Sequence, residues 1–209
     1  MSTENYITAS CVISDCIVYK NGSPVFENAN ADLPGFLLSA YQHFKLMYPR
    51  FYKMDNLSKL GMITSEVLLK PEFPARAYQP GDIGVVLANA NSSLDTDIKY
   101  YETVRNIASP SLFVYTLPNI MIGEICIRNN FKGENAFFVF NRFDANFIGQ
   151  YVSNLLHNNI LKACICGWIE LLEDKYSAFL CVVERKETGL NNLLFTIENI
   201  NKIYPIENG

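Results

Sequence analysis

The sequence predicts an α/β sandwich on a mainly parallel mixed sheet, and three observations predict it. Apolar runs of strand length alternate with stretches of helical spacing, in the order strand, helices, strand, helix, helix, strand, helix, strand, strand. One run, Asp82 to Ala90, is apolar almost throughout, as a strand covered on both faces must be. With 209 residues and 49% hydrophobic content, the chain can bury a full core as a single domain spanning 1–209.

Taken in order, Tyr6 to Ser14 reads as a buried strand, with Cys16 to Tyr19 as its extension before an Asn21-Gly22 turn. Leu33 to Leu46 reads as a helix, because its apolar residues recur at helical spacing and Pro34 is tolerated in a first turn. Asp55 can N-cap a second helix to about Leu69, with Leu57, Leu60, Ile63 and Val67 on one face. Pro71, Pro74 and Pro80 then break the chain before the strand at Asp82 to Ala90. A third helix runs from Ser93 or Asp95 to Ile107, where Ser109-Pro110 stops it, and a fourth spans Ile120 to Asn130. Ala136 to Asn141 is a strand, and Asp144 caps a helix through Asn158. Lys162 to Leu171 and Tyr176 to Glu184 are strands, and Asn192 to Ile200 reads as a last strand or else a helix.

Composition narrows the function. A net charge of -4, with 17 Lys and Arg scattered along the chain, speaks against a nucleic-acid surface. No apolar run approaches the ~20 residues that cross a bilayer, and the N-terminus lacks the basic and apolar regions of a signal peptide, so a cytoplasmic protein with no membrane contact is expected. The six cysteines (Cys11, Cys16, Cys126, Cys164, Cys166 and Cys181) are expected as reduced, mostly buried thiols, five of them lying in apolar runs. Cys164 and Cys166 are too closely spaced for a CxxC pair, and His43 and His157 are the only histidines, so neither a metal nor another cofactor is expected. His43 reads as a surface or core residue, and His157 as a cation near a helix C-terminus.

The stretch Gly133 to Asn146 stands out. It reads as a turn, one short apolar strand and a helix start, the arrangement on which many α/β enzymes mount a nucleophile. Its turn carries Asn141, Arg142 and Phe143, with neither serine nor cysteine.

Six segments then carry a resemblance that periodicity does not. They are Ile7 to Ser14, Lys53 to Leu60, Ile83 to Leu87, the Ser109-Pro through Pro118-Asn to Gly123-Glu-Ile-Cys-Ile-Arg128 segment, Lys132-Gly-Glu-Asn135, and Cys166-Gly-Trp-Ile-Glu170. In this order they resemble the N-terminal half of a β-ketoacyl synthase of the thiolase superfamily, over nearly the whole chain. The resemblance implies a thiolase-like αβα sandwich, one half of the duplicated thiolase fold. It also implies a cysteine nucleophile a few residues past the glycine-x-asparagine turn, where a helix N-terminus favours the thiolate. Ungapped spacing puts Arg142 at that position, and no cysteine occurs between Cys126 and Cys164. The family's two histidines belong to its second half, and neither His43 nor His157 stands where they would.

A silent synthase-like subunit is therefore expected, with no independent condensation activity. The resemblance implies that the strand Asn135, Ala136, Phe137, Phe138, Val139, Phe140, Asn141 pairs antiparallel with the same strand of a partner. It further implies that Tyr115, Leu117, Pro118, Ile120 and Met121 face an acyl tunnel. The partner would be a full-length ketosynthase, whose product length the chain would limit as a chain-length factor in polyene or polyketide-type fatty acid synthesis; the pair could also be a homodimer, and an acyl carrier protein could bind. Phe137, Phe138 and Phe140 put aromatic bulk on both faces of that strand, which as an uncovered edge would aggregate; the alternative is a central strand covered within the monomer. Arg142 would either fill the vacated pocket, paired with Glu134 or Asp144, or be a solvated turn residue. A second function is an acyltransferase or thioesterase using Asp144 or Ser153, and a third is a homodimeric module that captures a carrier protein, weakened by the lack of a basic patch.

Overall fold

The computed structural model describes residues 4–71, 73–185 and 193–204. Its strands are β1 (Tyr6–Ser14), β2 (Ile17–Lys20), β3 (Ser23–Glu27), β4 (Ile83–Asn89), β5 (Asn135–Val139), β6 (Ala163–Leu172), β7 (Lys175–Glu184) and β8 (Leu193–Leu194). Its α-helices are α1 (Leu33–His43), α2 (Asn56–Leu69), α3 (Leu94–Val104), α4 (Pro110–Val114), α5 (Asn119–Asn129), α6 (Ala145–His157) and α7 (Ile197–Ile203). The strands form one sheet in the order β3-β2-β1-β7-β6-β4-β5, with β8 also on β1.

The sheet is mixed, and the expectation that it is mainly parallel is corrected. Only β4 pairs in parallel, with β5 on one side and β6 on the other; every other pairing is antiparallel. Tight turns are the reason. Asp15 and Cys16 both adopt positive φ (49° and 59°), as do Asn21 and Gly22 (49° and 80°). Two residues of positive φ make the hairpin turn whose twist matches the strands, so the chain returns at once as β2 and again as β3. What reads as an extension of the first strand is thus a separate strand, and β3 follows the Asn-Gly turn. Parallel pairing requires a crossover; α3 to α5 supply one between β4 and β5, and α6 the next between β5 and β6.

Helices cover both faces. On one, α1, α2 and α5 bury Phe36, Leu37, Leu60, Ile63, Met121 and Ile125 against Ile13, Val85, Leu87 and Ile165. On the other, α6 and α7 bury Ile148, Val152, Leu156 and Ile200 against Val86, Cys164, Trp168 and Cys181. The α/β sandwich expected from the sequence is present. Helix α2 is buried at every position from Leu57 to Leu69 except Lys59, because α1, α5 and the sheet surround it. Gly61 permits the contact with α5: a Cβ there would lie 2.4 Å from Met121 Sδ. Asp55 caps α2 by accepting from Ser58 N at 2.9 Å, and Asp144 caps α6 from Phe147 N at 2.9 Å, both as the sequence indicates. Of the stretch read as a last strand or a helix, Asn192 lies outside the described residues, Leu193–Leu194 is a short strand and Ile197–Ile203 a helix. No helix among the described residues is long and apolar enough to cross a membrane.

Candidate functional site

The strand, turn and helix start expected between Gly133 and Asn146 lie at one edge of the sheet. Gly133 opens the stretch against β4, donating its N–H to Ile83 O at 3.1 Å, and a Cβ there would meet that oxygen at 2.5 Å. β5 then pairs with β4 from Val85↔Asn135 to Asn89↔Val139, and Phe140 N extends the ladder to Asn89 O at 3.0 Å. Its opposite side pairs with no strand among the described residues. The reading of this segment as a central strand is therefore corrected: β4 takes β6 as its other neighbour, which leaves β5 outermost.

Its side chains alternate as a strand requires. Phe137 packs into the core under α5, whereas Phe138 and Phe140 lie on the α6 side, against Phe147 at 4.9 and 5.0 Å between ring centroids. Phe138 also meets Tyr151 at 5.1 Å. Asn135 and Val139 are exposed, and no side chain of the strand is fully buried. The aromatic rings anchor the strand to its own chain and leave its outer side open.

The turn after β5 sends Phe143 inward, not Arg142. Phe143 is 4% exposed and packs edge-on against Trp168, Phe179 and Tyr204 at 5.7 to 5.9 Å. Arg142 is exposed, and among the described residues it makes no hydrogen bond or ion pair, with Glu134 and Asp144 or any other group. It lines a surface cleft of about 430 Å³ with Phe140, Asn141, Asn146, Ile197 and Asn201. Of its two readings, the solvated turn residue is the one observed. Asp144 is occupied as the α6 cap, and Ser153 Oγ accepts from Asn5 Nδ2 at 3.1 Å.

The thiols lie elsewhere. Cys11, Cys164, Cys166 and Cys181 are buried, and Cys16 and Cys126 partly so. Burial pushes the Cys126 thiol up to about 11, and raises Cys11 and Cys164 further. Cys166 and Cys181 face each other across β6 and β7 at 3.6 Å, and their mutual hydrogen bond, with burial, holds the Cys166 thiol well above its usual value. Cys11, Cys126, Cys164 and Cys166 are therefore not poised as thiolates. His43 is exposed beside Phe26, and His157 is exposed in the last turn of α6. Among the described residues no group of three His, Cys, Asp or Glu could hold a metal ion.

The five residues assigned to a tunnel by resemblance divide in two. Tyr115 and Met121 face the chain's own core at 9% and 1% exposure. Burial, followed by the carboxylates of Glu124 and Asp55, pushes the Tyr115 phenol up to about 12. Leu117 is 53% exposed, with Pro118 and Ile120 partly buried beside it.

Glu124 and Glu66 are among the buried carboxylates that the sequence did not reveal. Glu124 is 3% exposed and accepts from Tyr48 Oη at 2.9 Å and Arg50 Nη2 at 2.7 Å. Glu66, also at 3%, accepts from Arg128 Nε at 2.9 Å and Lys70 Nζ at 2.6 Å. Burial alone would raise the Glu66 carboxyl, but the Arg128 and Lys70 contacts outweigh it and hold the group below its usual range. Glu124 and Arg128 belong to the Gly-Glu-Ile-x-Ile-Arg segment, and here they tie residues 47–50 over α2 and α5. The i, i+4 spacing was the available signal; their partners, more than sixty positions away, were not.

No protein-family model and no curated protein matches the sequence. Solved structures do match in fold. The ishigamide ketosynthase/chain length factor superposes with a TM-score of 0.63 at 16% identity, over 90% of this chain and 64% of that one. A type II PKS acyl-carrier protein in complex with its ketosynthase, AntDE:AntF, gives 0.60 at 14% identity, over 88% and 63%. The ketosynthase ApeO in complex with its chain length factor ApeC, from Xenorhabdus doucetiae, gives 0.59 at 11% identity, over 88% and 79%. The chain thus spans less than two thirds of the first two of these relatives, and it has the fold shared by ketosynthases and chain length factors.

Proposed function

We propose that the chain is a catalytically silent ketosynthase-like subunit that pairs through β5 with a full-length β-ketoacyl synthase and limits its product length, as a chain length factor does. The observation that carries this reading is the outermost position of β5, with one side unpaired among the described residues, leading through a turn that bears a solvated Arg142 and a buried Phe143 into a helix, where a nucleophile would stand. An edge strand of this apolarity is an association site unless something covers it. That ketosynthases and chain length factors occur together in the matching structures supports the choice of partner.

In the finer reading, the whole chain acts as one domain in the cytoplasm, within polyene or polyketide-type fatty acid synthesis, and the complex receives its substrate from an acyl carrier protein. Asn135 to Asn141 form the pairing strand, and Leu117, Pro118 and Ile120, beside Tyr115 and Met121, lie toward the partner's acyl tunnel. The test is co-expression with the ketosynthases of the source organism, followed by size-exclusion chromatography and analysis of product length. A chain that never co-elutes with a synthase, and whose deletion leaves product length and yield unchanged, refutes the proposal.

A further inference from the structure

The middle of the sheet carries a pair of thiols. β6 and β7 run antiparallel from Ala163↔Glu184 to Leu172↔Lys175, and this seam joins β4, β5 and β6 to the part of the sheet made of β1, β2, β3 and β7. At Cys166↔Cys181 the seam sets sulfur against sulfur, 3.6 Å apart, with both residues 1% exposed. The same row continues through Ser10, opposite Cys181 on β1, and Val86, beside Cys166 on β4.

The contact singles out two of the six cysteines. Cys11 lies in the core cluster on the other face of the sheet, where Cys126 also packs. Cys164, two residues before Cys166, shares its face but stands opposite Val183. Cys16 Sγ meets oxygens, Tyr176 Oη at 3.1 Å and Ala31 O at 3.5 Å. Among the described residues, Cys166 and Cys181 are the one sulfur–sulfur contact.

Backbone geometry already suits a bond between them. A disulfide takes Cα atoms about 4.4 to 6.8 Å apart, and directly opposed residues of an antiparallel pair lie about 4.5 to 5.5 Å apart. Rotation about the two Cα–Cβ bonds then has to bring the sulfurs from 3.6 Å to a bond length of about 2 Å. We propose that Cys166 and Cys181 are a redox-active pair that closes under hydrogen peroxide into a disulfide across the β6–β7 seam and staples the two parts of the sheet together. One sulfur attacks a peroxide oxygen and breaks the O–O bond, which gives a sulfenic acid and one water. The other sulfur attacks the sulfenic sulfur, gives up its proton and displaces the hydroxyl as a second water. Two thiols and one peroxide thus yield one disulfide and two waters. The second sulfur, already in contact, captures the sulfenic acid before further oxidation. A dithiol reductant reopens the bond by exchange. Because both thiols are buried, the oxidant has to be small and to enter on local opening of the helices that cover this face.

The experiment treats the folded full chain with hydrogen peroxide, blocks the remaining thiols in denaturant and maps the peptides by mass spectrometry. Expected is a pair of peptides joined at Cys166 and Cys181, formed in the folded chain and reopened by dithiothreitol. The closed form is expected to melt about 5 °C or more above the open form. Cys164→Ser should keep the link and Cys181→Ser abolish it. Fragmentation of the linked wild-type peptides places the bond directly, so a variant that fails to fold does not decide the matter. Recovery of Cys166 and Cys181 as free thiols while Cys16 and Cys126 are oxidised overturns the inference. So does a link that forms only in denaturant or joins Cys164, and so does a closed form that melts no higher than the open one.

Discussion

Replacing Arg128 by methionine keeps much of its packed length and removes its charge from Glu66. Glu66 is 3% exposed and takes two contacts from Arg128, at 2.9 and 3.4 Å. Stripping one partner from a buried ion pair costs about 3 to 5 kcal/mol when the remaining charge is left alone. Here Lys70 stays at 2.6 Å, on a side chain 56% exposed, so the carboxylate keeps one cation. The expected loss is therefore smaller, about 2 kcal/mol at pH 7, or about 4 to 8 °C in melting temperature for a chain of this size. The pH dependence supplies a sharper reading. Glu66 in the fold lies below its ordinary value of 4.5, so the stability it contributes is present above that pH and is lost as pH falls through the folded value. In the variant that downward shift shrinks, and the gap between the two proteins narrows as pH is lowered below about 4.5. Urea unfolding at several pH values from neutral to acidic measures both quantities. A variant within about 0.5 kcal/mol of wild type at pH 7, or a gap that stays constant down to acid pH, would show that Arg128 is not what stabilises the buried carboxylate.

Asp144→Ala removes the α6 cap at Phe147 N and is expected to cost about 1 kcal/mol in urea unfolding, against no measurable loss for Asp144→Asn. Arg142→Ala, at a solvated position, is expected to leave stability within about 0.5 kcal/mol of wild type; a larger loss would reveal a partner for the guanidinium. Met121→Ala empties space between α2 and α5 at a side chain 1% exposed, for an expected loss of about 3 kcal/mol by calorimetry or urea. In a thiol titration without denaturant, Cys16 and then Cys126 are expected to react ahead of the four buried cysteines, with mass mapping of the labelled peptides as the check.

The elements that could be read from the sequence are those specified by local chemistry. Asp55 and Asp144 cap their helices because a side-chain oxygen three residues before a free N–H needs no distant partner. The Asn21-Gly22 turn is legible for the same reason. The turn at Asp15-Cys16 was not, since it lacks the glycine that marks the Asn21-Gly22 turn and Cys16 has no preference for positive φ. That one hidden turn adds β2 to the antiparallel edge of the sheet, with β3 following it. The outermost position of β5 could not be read either, because strand order depends on which neighbour β4 finds on its other side. Nor could the ties of Arg50 to Glu124 and Arg128 to Glu66, whose partners lie 74 and 62 residues apart. At the turn itself the absence of serine and cysteine was legible. That Phe143 and not Arg142 would point inward was not, because which turn residue is buried depends on the aromatic shelf of Trp168, Phe179 and Tyr204.

The surfaces left uncovered determine the direction from which a partner can approach. The outward stripe of α6 is Asn146, Gln150, Asn154 and His157, all exposed, with Gln150 Nε2 donating to Asn146 Oδ1 at 3.0 Å. Covering that stripe would strip water from amides with little apolar area gained in return, so the α6 face is a poor docking surface. The β5 edge and the outward side of α3 are the reverse, a row of strand groups with no strand beside them among the described residues, and the exposed side chains of Leu94, Ile98, Tyr101 and Val104 facing solvent beside Lys99, Glu102 and Arg105. Association from the edge completes hydrogen bonds and removes apolar surface from water in one step. Association from the α6 face does neither. A partner that stacked on α6 would therefore have to bring its own polar complement, whereas one that adds to β5 and covers α3 needs only a strand and an apolar surface.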